Sequence, residues 1–117
     1  MVKRRKTKVA PPAGCPLRSC MDLIAGAWTA DVLWYLRGGE RCFSELQQDL
    51  QGVSAKMLTA RLKRLERDGL LERHERATSP PTVWYQLTPV GAEFALALHE
   101  LVLIGQKLKR NFSQPSA

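Results

Sequence analysis

The residues of this sequence best suited to chemistry are cations set at helical spacing. In residues 53–71, VSAKMLTARLKRLERDGLL, Lys56, Ala60, Lys63 and Arg67 fall on one side of a helix at about 100° per residue, flanked by Thr59 and Arg64. Leu58, Leu62 and Leu65 fall on the opposite side, with Met57 at its edge. Lysine and arginine so arranged can hold phosphates. Thr59 and the small Ala60 can approach base edges, Ala60 through apolar contact such as a thymine methyl. The same pattern also suits the solvated face of an ordinary surface helix.

The other reactive side chains are scattered. Cys15, Cys20 and Cys42 form no CxxC pair, and His74 and His99 are distant from each other and from the cysteines. Zinc sites show paired ligands at short spacing, so the sequence predicts no metal and no cofactor. Cys20 and Cys42 have apolar neighbours and are expected to be small core residues. Cys15 precedes Pro16, where a thiol beside a helix N-terminus has a lowered pKa and more thiolate. It also suits a helix-cap cysteine without a signalling role. No nucleophile–base spacing, phosphate loop or paired carboxylates stand out, which argues against an enzyme.

The elements that must position the cationic face follow from caps and breakers. Pro16 opens a first helix on which Leu17, Cys20, Met21 and Ile24 recur, and Gly26 breaks it. A second helix is expected over residues 28–37, with Val32, Leu33, Tyr35 and Leu36 apolar and Trp28 and Trp34 in packing roles. Residues 40–43 suit a brief strand. Ser44 and Gln47 fit a capping box for a third helix ending near Leu50. Ser54 caps the cationic helix and Gly69 stops it. Short helix, tight turn and amphipathic basic helix make the pattern of a helix-turn-helix.

After Gly69 the period changes. Residues 71–76 read as a mostly solvated strand, residues 77–81 as a loop, and residues 82–87 as a strand with Val83, Tyr85 and Leu87 facing one way. Two strands after a helix-turn-helix form a wing. Thr88 and Pro89 then cap and open a last helix running to about Phe112. Leu98, Leu101, Val102, Leu108 and Phe112 line one side of it, widened by Ala95, Leu96, Leu103 and Ile104. So much terminal apolar surface predicts a partner, in the first place a second copy of the chain.

Charge and length set the frame. At 117 residues the chain suits one domain with a modest core. Of the formal net charge of +7, the first fourteen residues contribute five cations and no acid, whereas residues 15–52 are net acidic. Residues 53–76 carry seven cations against four acids, and this excess coincides with the cationic helix. Residues 1–14 are expected to be a disordered basic tail, serving as a phosphate arm or only raising solubility. Residues 113–117 are expected to be flexible. No run reaches a membrane span and no apolar segment follows the N-terminal cations, so a cytoplasmic protein without membrane partners is expected.

The ordered set Cys15-Pro16, Gly26-x-Trp28, Phe43-Ser44-Glu45-Leu46, Val53-Ser54 and Met57-Leu58-Thr59 resembles the HxlR family of bacterial winged-helix regulators, relatives in shape of the MarR regulators. It continues with Leu62, Leu65-Glu66-x-Asp68-Gly69-Leu70, Pro80-Pro81-x-Val83-x-Tyr85-x-Leu87-Thr88 and Gly91, so the likeness covers about residues 15–91. The expected fold is mainly α with a small β-wing (α+β), a winged helix-turn-helix over residues 15–112 with added N- and C-terminal dimerisation helices. The resemblance implies a homodimeric transcription regulator on a two-fold double-stranded DNA operator, joined through the first and last helices. On that basis Leu17, Leu98, Leu101, Val102 and Leu108 are the expected dimerisation residues. Ser54, Lys56, Thr59, Ala60, Lys63, Arg64, Arg67 and Arg76 are the expected DNA-binding residues. In some family members a cysteine at the position of Cys15 senses oxidants or electrophiles. Two departures stand out. Thr82 occupies a place where the family often has a basic residue, and Ala27 stands where lysine is common. A winged-helix protein-interaction module without specific DNA binding is the alternative, and a small-molecule effector near Trp28 or Trp34 fits either.

Overall fold

The computed structural model describes residues 9–10 and 16–113, with side chains to residue 110. Cys15, Phe112's side chain, the residues after Ser113 and most of the basic tail lie outside the described residues. Helix α1 (Pro16–Ala25) is followed by α2 (Thr29–Tyr35), which tightens into a 3-10 turn at Leu36–Gly38. Strand β1 (Arg41–Cys42), α3 (Phe43–Asp49), α4 (Ala55–Arg67), β2 (Leu71–Arg76), β3 (Thr82–Leu87) and α5 (Pro89–Ser113) complete the chain. The strands form one antiparallel sheet in the order β1-β3-β2. This is the mainly helical winged helix-turn-helix that the sequence predicts.

The core is the inner side of α4 against α2 and α3. Leu58, Leu62 and Leu65 are buried with Val32, Leu33 and Leu46. Burying a leucine side chain contributes about 1.5–3 kcal/mol, so these three alone fix α4 to the domain. The ends of α4 are equally determined. The Met57 N–H donates to the Ser54 hydroxyl at 3.0 Å, which satisfies a donor the helix cannot. At the other end Gly69 has φ +84, and the Gly69 and Leu70 N–H groups bond back to the carbonyls of Glu66 and Leu65. That pairing is the Schellman stop, and glycine enters its left-handed conformation without the conformational cost that a Cβ carries there.

The start of α5 is stitched to this stop. Thr88 accepts from the Gly91 N–H at 3.0 Å and donates its hydroxyl to the Gly69 carbonyl at 2.6 Å. Its own N–H reaches the Leu70 carbonyl at 3.0 Å. The approach is so close that a Cβ on Gly91 would lie 2.1 Å from the Leu70 oxygen. Beyond this joint Ala95 and Leu98 are buried, and Trp34 meets His99 edge to face at 5.8 Å.

Three local expectations are corrected. The capping box of α3 is set by Cys42 and Glu45, whose carboxylate accepts the Cys42 N–H at 3.1 Å, and not by Ser44 and Gln47. Pairing of Arg41 and Cys42 with Tyr85 and Trp84 holds Cys42 extended, so the helix starts two residues earlier than the Ser44 frame allows. Cys20 is exposed and is not a core residue, because α1 meets the core chiefly through Leu23 and Ile24. Cys42 is half-buried at the helix start. The second helix begins at Thr29, since Trp28 before it adopts φ +73, a left-handed conformation that is uncommon for a bulky residue.

Candidate nucleic-acid interface

The outer side of α4 is open. Lys56, Ala60, Lys63 and Arg67 are exposed, and Thr59 and Arg64 are half-exposed at its flanks. No ion pair among the described residues involves Lys56, Lys63 or Arg67. Thirteen helical residues give this surface a length of about 20 Å. Arg64 differs, because Asp68 one turn on pairs with it at 3.6 Å and it lines a cleft with Cys20 and Asp22 of α1. Ser54 spends its hydroxyl on the helix cap.

One contact of α4 lies outside what the sequence predicts. Arg61, half-buried and off the outer face, donates through Nε to the Ala27 carbonyl at 2.8 Å, tying α4 to the turn between α1 and α2. Its spacing from Lys56 puts it toward neither the core nor solvent, and its partner lies far back in the chain. Nothing in the local pattern could have found it.

The wing presents two arginines in different circumstances. Arg76, at the end of β2, is ion-paired with Glu40 and lies 4.1 Å over the Trp84 ring. Trp84 is itself held by its indole N–H on the Thr82 hydroxyl at 3.0 Å, and Thr82 meets Thr78 at 3.1 Å. Arg73 stands opposite Tyr85 in the ladder and pairs with Glu75 at 3.0 Å. The Tyr85 hydroxyl first, then Glu75, hold its guanidinium pKa above the ordinary arginine value. Below the wing Arg41 donates to both Asp49 oxygens at 2.5 and 3.0 Å, and this pairing raises its pKa in the same way. Among the described residues no three His, Cys, Asp or Glu side chains gather where they could hold a metal ion.

The family profile described as HxlR-like helix-turn-helix matches residues 23–112, which takes in every element from the end of α1 almost to the end of α5. The chain belongs to the HxlR family. It is 33% identical over 96 residues to the uncharacterized HTH-type transcriptional regulator YdeP of Bacillus subtilis, covering 82% of this chain and 75% of that one. A solved protein from Porphyromonas gingivalis W83, described as a MarR-family transcriptional regulator, superposes with a TM-score of 0.76 at 31% identity over 86% of this chain and 97% of that one. The reduced form of the transcriptional regulator YodB from B. subtilis superposes at 0.71 with 29% identity, covering 88% and 98%. A quinone-bound form of YodB does so at 0.70 with 28% identity, covering 80% and 98%.

As an HxlR protein the chain is a helix-turn-helix transcriptional regulator, a family of regulators and not of enzymes. Its second notable surface is apolar. Leu17 and Met21 on α1 and Leu101, Val102, Ile104 and Leu108 on α5 are exposed. Leu98, expected beside them, is only 7% exposed and belongs to the protomer's own core, though it also floors a cleft of about 320 Å³ with Ile24, Trp34, Leu101 and Val102. No helix among the described residues is long and apolar enough to cross a membrane.

Proposed function

We propose that this chain is a sequence-specific DNA-binding regulator that acts as a homodimer on a two-fold operator. The carrying observation is the division of α4. One side is locked into the core, while the other offers Lys56, Lys63 and Arg67, without ion-pair partners, around Thr59 and Ala60. A helix so held can enter a major groove with its side chains already placed. Lys56, Thr59 and Lys63 are the base-reading candidates, with Ala60 suited to a thymine methyl. Arg67 and Arg64 serve phosphates, and Ser54 positions the helix start. Arg76, expected among the DNA contacts, is held by Glu40 and Trp84 and braces the wing itself. An interaction module without specific DNA contacts would want apolar anchors on this face, and Ala60 is too small to be one.

The dimer rests on Leu17 of α1 and on Leu101, Val102 and Leu108 of α5, with Leu98 beneath them. Two-fold pairing would set the α4 helices in half-sites ~34 Å apart. Cytoplasmic action is part of the same reading. YodB with bound quinone supports a response to electrophiles here, with Cys15 as the thiol, and the cleft beside Trp34 is a place for a small effector.

Binding of reduced protein to the duplex upstream of its own gene, compared with a scrambled duplex across salt concentrations, tests the proposal. Tight binding to the native duplex with symmetric protection is expected. Lys63→Ala should weaken binding to the native duplex more than to the scrambled one, as the loss of a base contact does. Equal affinity for both duplexes would sink sequence specificity. Oxidation should change affinity in the native protein and not in Cys15→Ala, and equal responses would dispose of the sensor.

A further inference from the structure

A cleft of about 430 Å³ separates α4 from the wing, lined by Thr59 and Lys63 on the helix and by Arg73 and Tyr85 on the sheet, with Phe43 and Val83 among its walls. We infer that this cleft seats a single phosphodiester of the DNA backbone, and that Arg73, not Arg76, is the arginine through which the wing binds DNA. The inference rests on the DNA-binding reading above and names a contact that reading does not contain.

Three observations converge. Thr59 and Lys63 lie on the wing-side edge of the outward face of α4, so a groove occupied by that helix brings a backbone strand over the cleft. Arg73 and Tyr85 face each other across the β2–β3 ladder, which sets a guanidinium fork and a phenol hydroxyl on the far wall. Phe43 and Val83 keep part of the cleft apolar, and a less polar surround strengthens charge-assisted hydrogen bonds. Arg73 has five N–H donors and gives only some of them to Glu75 and Tyr85. Its pair with Glu75 is exposed, the kind of ion pair whose net worth is small and which a phosphate can replace. Glu66 also lines the cleft and opposes an anion, so the seat favours one phosphate held by Arg73, with the Lys63 charge offsetting Glu66, over a pool of anions.

Arg76 is engaged elsewhere. Glu40 neutralises its charge, and the Trp84 face covers its guanidinium plane. To reach a phosphate it would have to leave both partners. Its place is that of a clasp joining the segment before β1 to the far end of β2, across β3.

The test uses full-length protein and a duplex that it enriches from a random-sequence pool. Affinity is measured across salt for the native protein and for Arg73→Ala, Arg73→Lys and Arg76→Ala, with circular dichroism showing each to be folded. Arg73→Ala is expected to lower the log–log salt slope by about 0.9, Arg73→Lys to restore it, and Arg76→Ala to keep the native slope. Neutral methylphosphonates are then placed singly along the duplex. One position per half-site should weaken the native protein roughly fivefold and leave Arg73→Ala no weaker than before. A native slope in folded Arg73→Ala, or a full methylphosphonate penalty in that variant at every position, overturns the inference while leaving the regulator reading intact. A cleft that takes only free anions would show no such single position and overturns it too. Native protein that binds no duplex overturns both.

Discussion

Helices α4 and α5 are both amphipathic, yet the fold treats them differently. In α4 every leucine is buried and the cations lie outside. In α5 Ala95 and Leu98 are buried, while Leu101, Val102, Leu103, Ile104 and Leu108, no less apolar, remain exposed. The contrast does not come from residue type. It comes from what the fold places opposite each helix: α2, α3 and β2 surround α4, whereas α5 passes beyond the domain after about its first three turns. Apolar spacing therefore states that a face is to be covered, and only the packing shows whether the same chain covers it. The α4 side is complete within the protomer, and the bare α5 side is what the proposed dimer would cover.

The largest expected effect lies inside α4. Leu62 is 1% exposed and sits among the other buried leucines of the core. Leu62→Ala should cost about 3–4 kcal/mol in denaturant unfolding, the range for a buried leucine whose cavity does not collapse. A loss below 1 kcal/mol would mean that the inner side of α4 is not the core of the domain.

Next comes the joint between the two helices. Gly91→Ala sets a methyl against the Leu70 backbone carbonyl at 2.1 Å, where no rotamer can relieve it. The start of α5 must lift from the end of α4, breaking the Thr88 bonds to Gly69 and Leu70. About 3 kcal/mol is expected. Thermal unfolding should show it, and an unchanged midpoint would refute the contact. Ser54→Ala should follow at about 1 kcal/mol, the worth of a helix cap, without altering the inner packing.

How much of this was legible follows the range of each interaction. The faces of α4, its Ser54 cap and its Gly69 stop are encoded within a few residues of one another, and the sequence displays them. So are Thr88 and Pro89 at the start of α5. For the capping box of α3 two overlapping frames, Cys42 with Glu45 and Ser44 with Gln47, compete locally. The pairing of Cys42 with Trp84 in β3 decides between them. The apolar sequence neighbours of Cys20 point to the core, yet it is exposed because α1 packs by one short edge. At the candidate interface Lys56, Lys63 and Arg67 were readable from period alone. The engagement of Arg76 by Glu40 and Trp84 and of Arg61 by the Ala27 carbonyl depends on strands and turns brought together from afar.

The change with the smallest effect on the fold, Leu108→Asp, sharpens the comparison most, because beside Leu98→Ala it separates two leucines of the same helix. Leu98 is 7% exposed and Leu108 is 48% exposed. Leu98→Ala should behave like a core substitution, with a loss of about 2–3 kcal/mol. Leu108→Asp should leave the fold of an isolated protomer within about 0.5 kcal/mol, as surface changes do. In the proposed dimer its effect belongs to association, since a carboxylate there would be buried beside its own copy and lose its hydration. Sedimentation over a concentration series should show Leu108→Asp shifted toward monomer while its circular dichroism stays native. Thermal midpoints should then depend on concentration for the native chain and scarcely for the variant, because mass action links folding to assembly only where a dimer forms. A variant that sediments as the native chain does would take Leu108 out of the interface. The bare part of α5 would then need a partner other than a second copy.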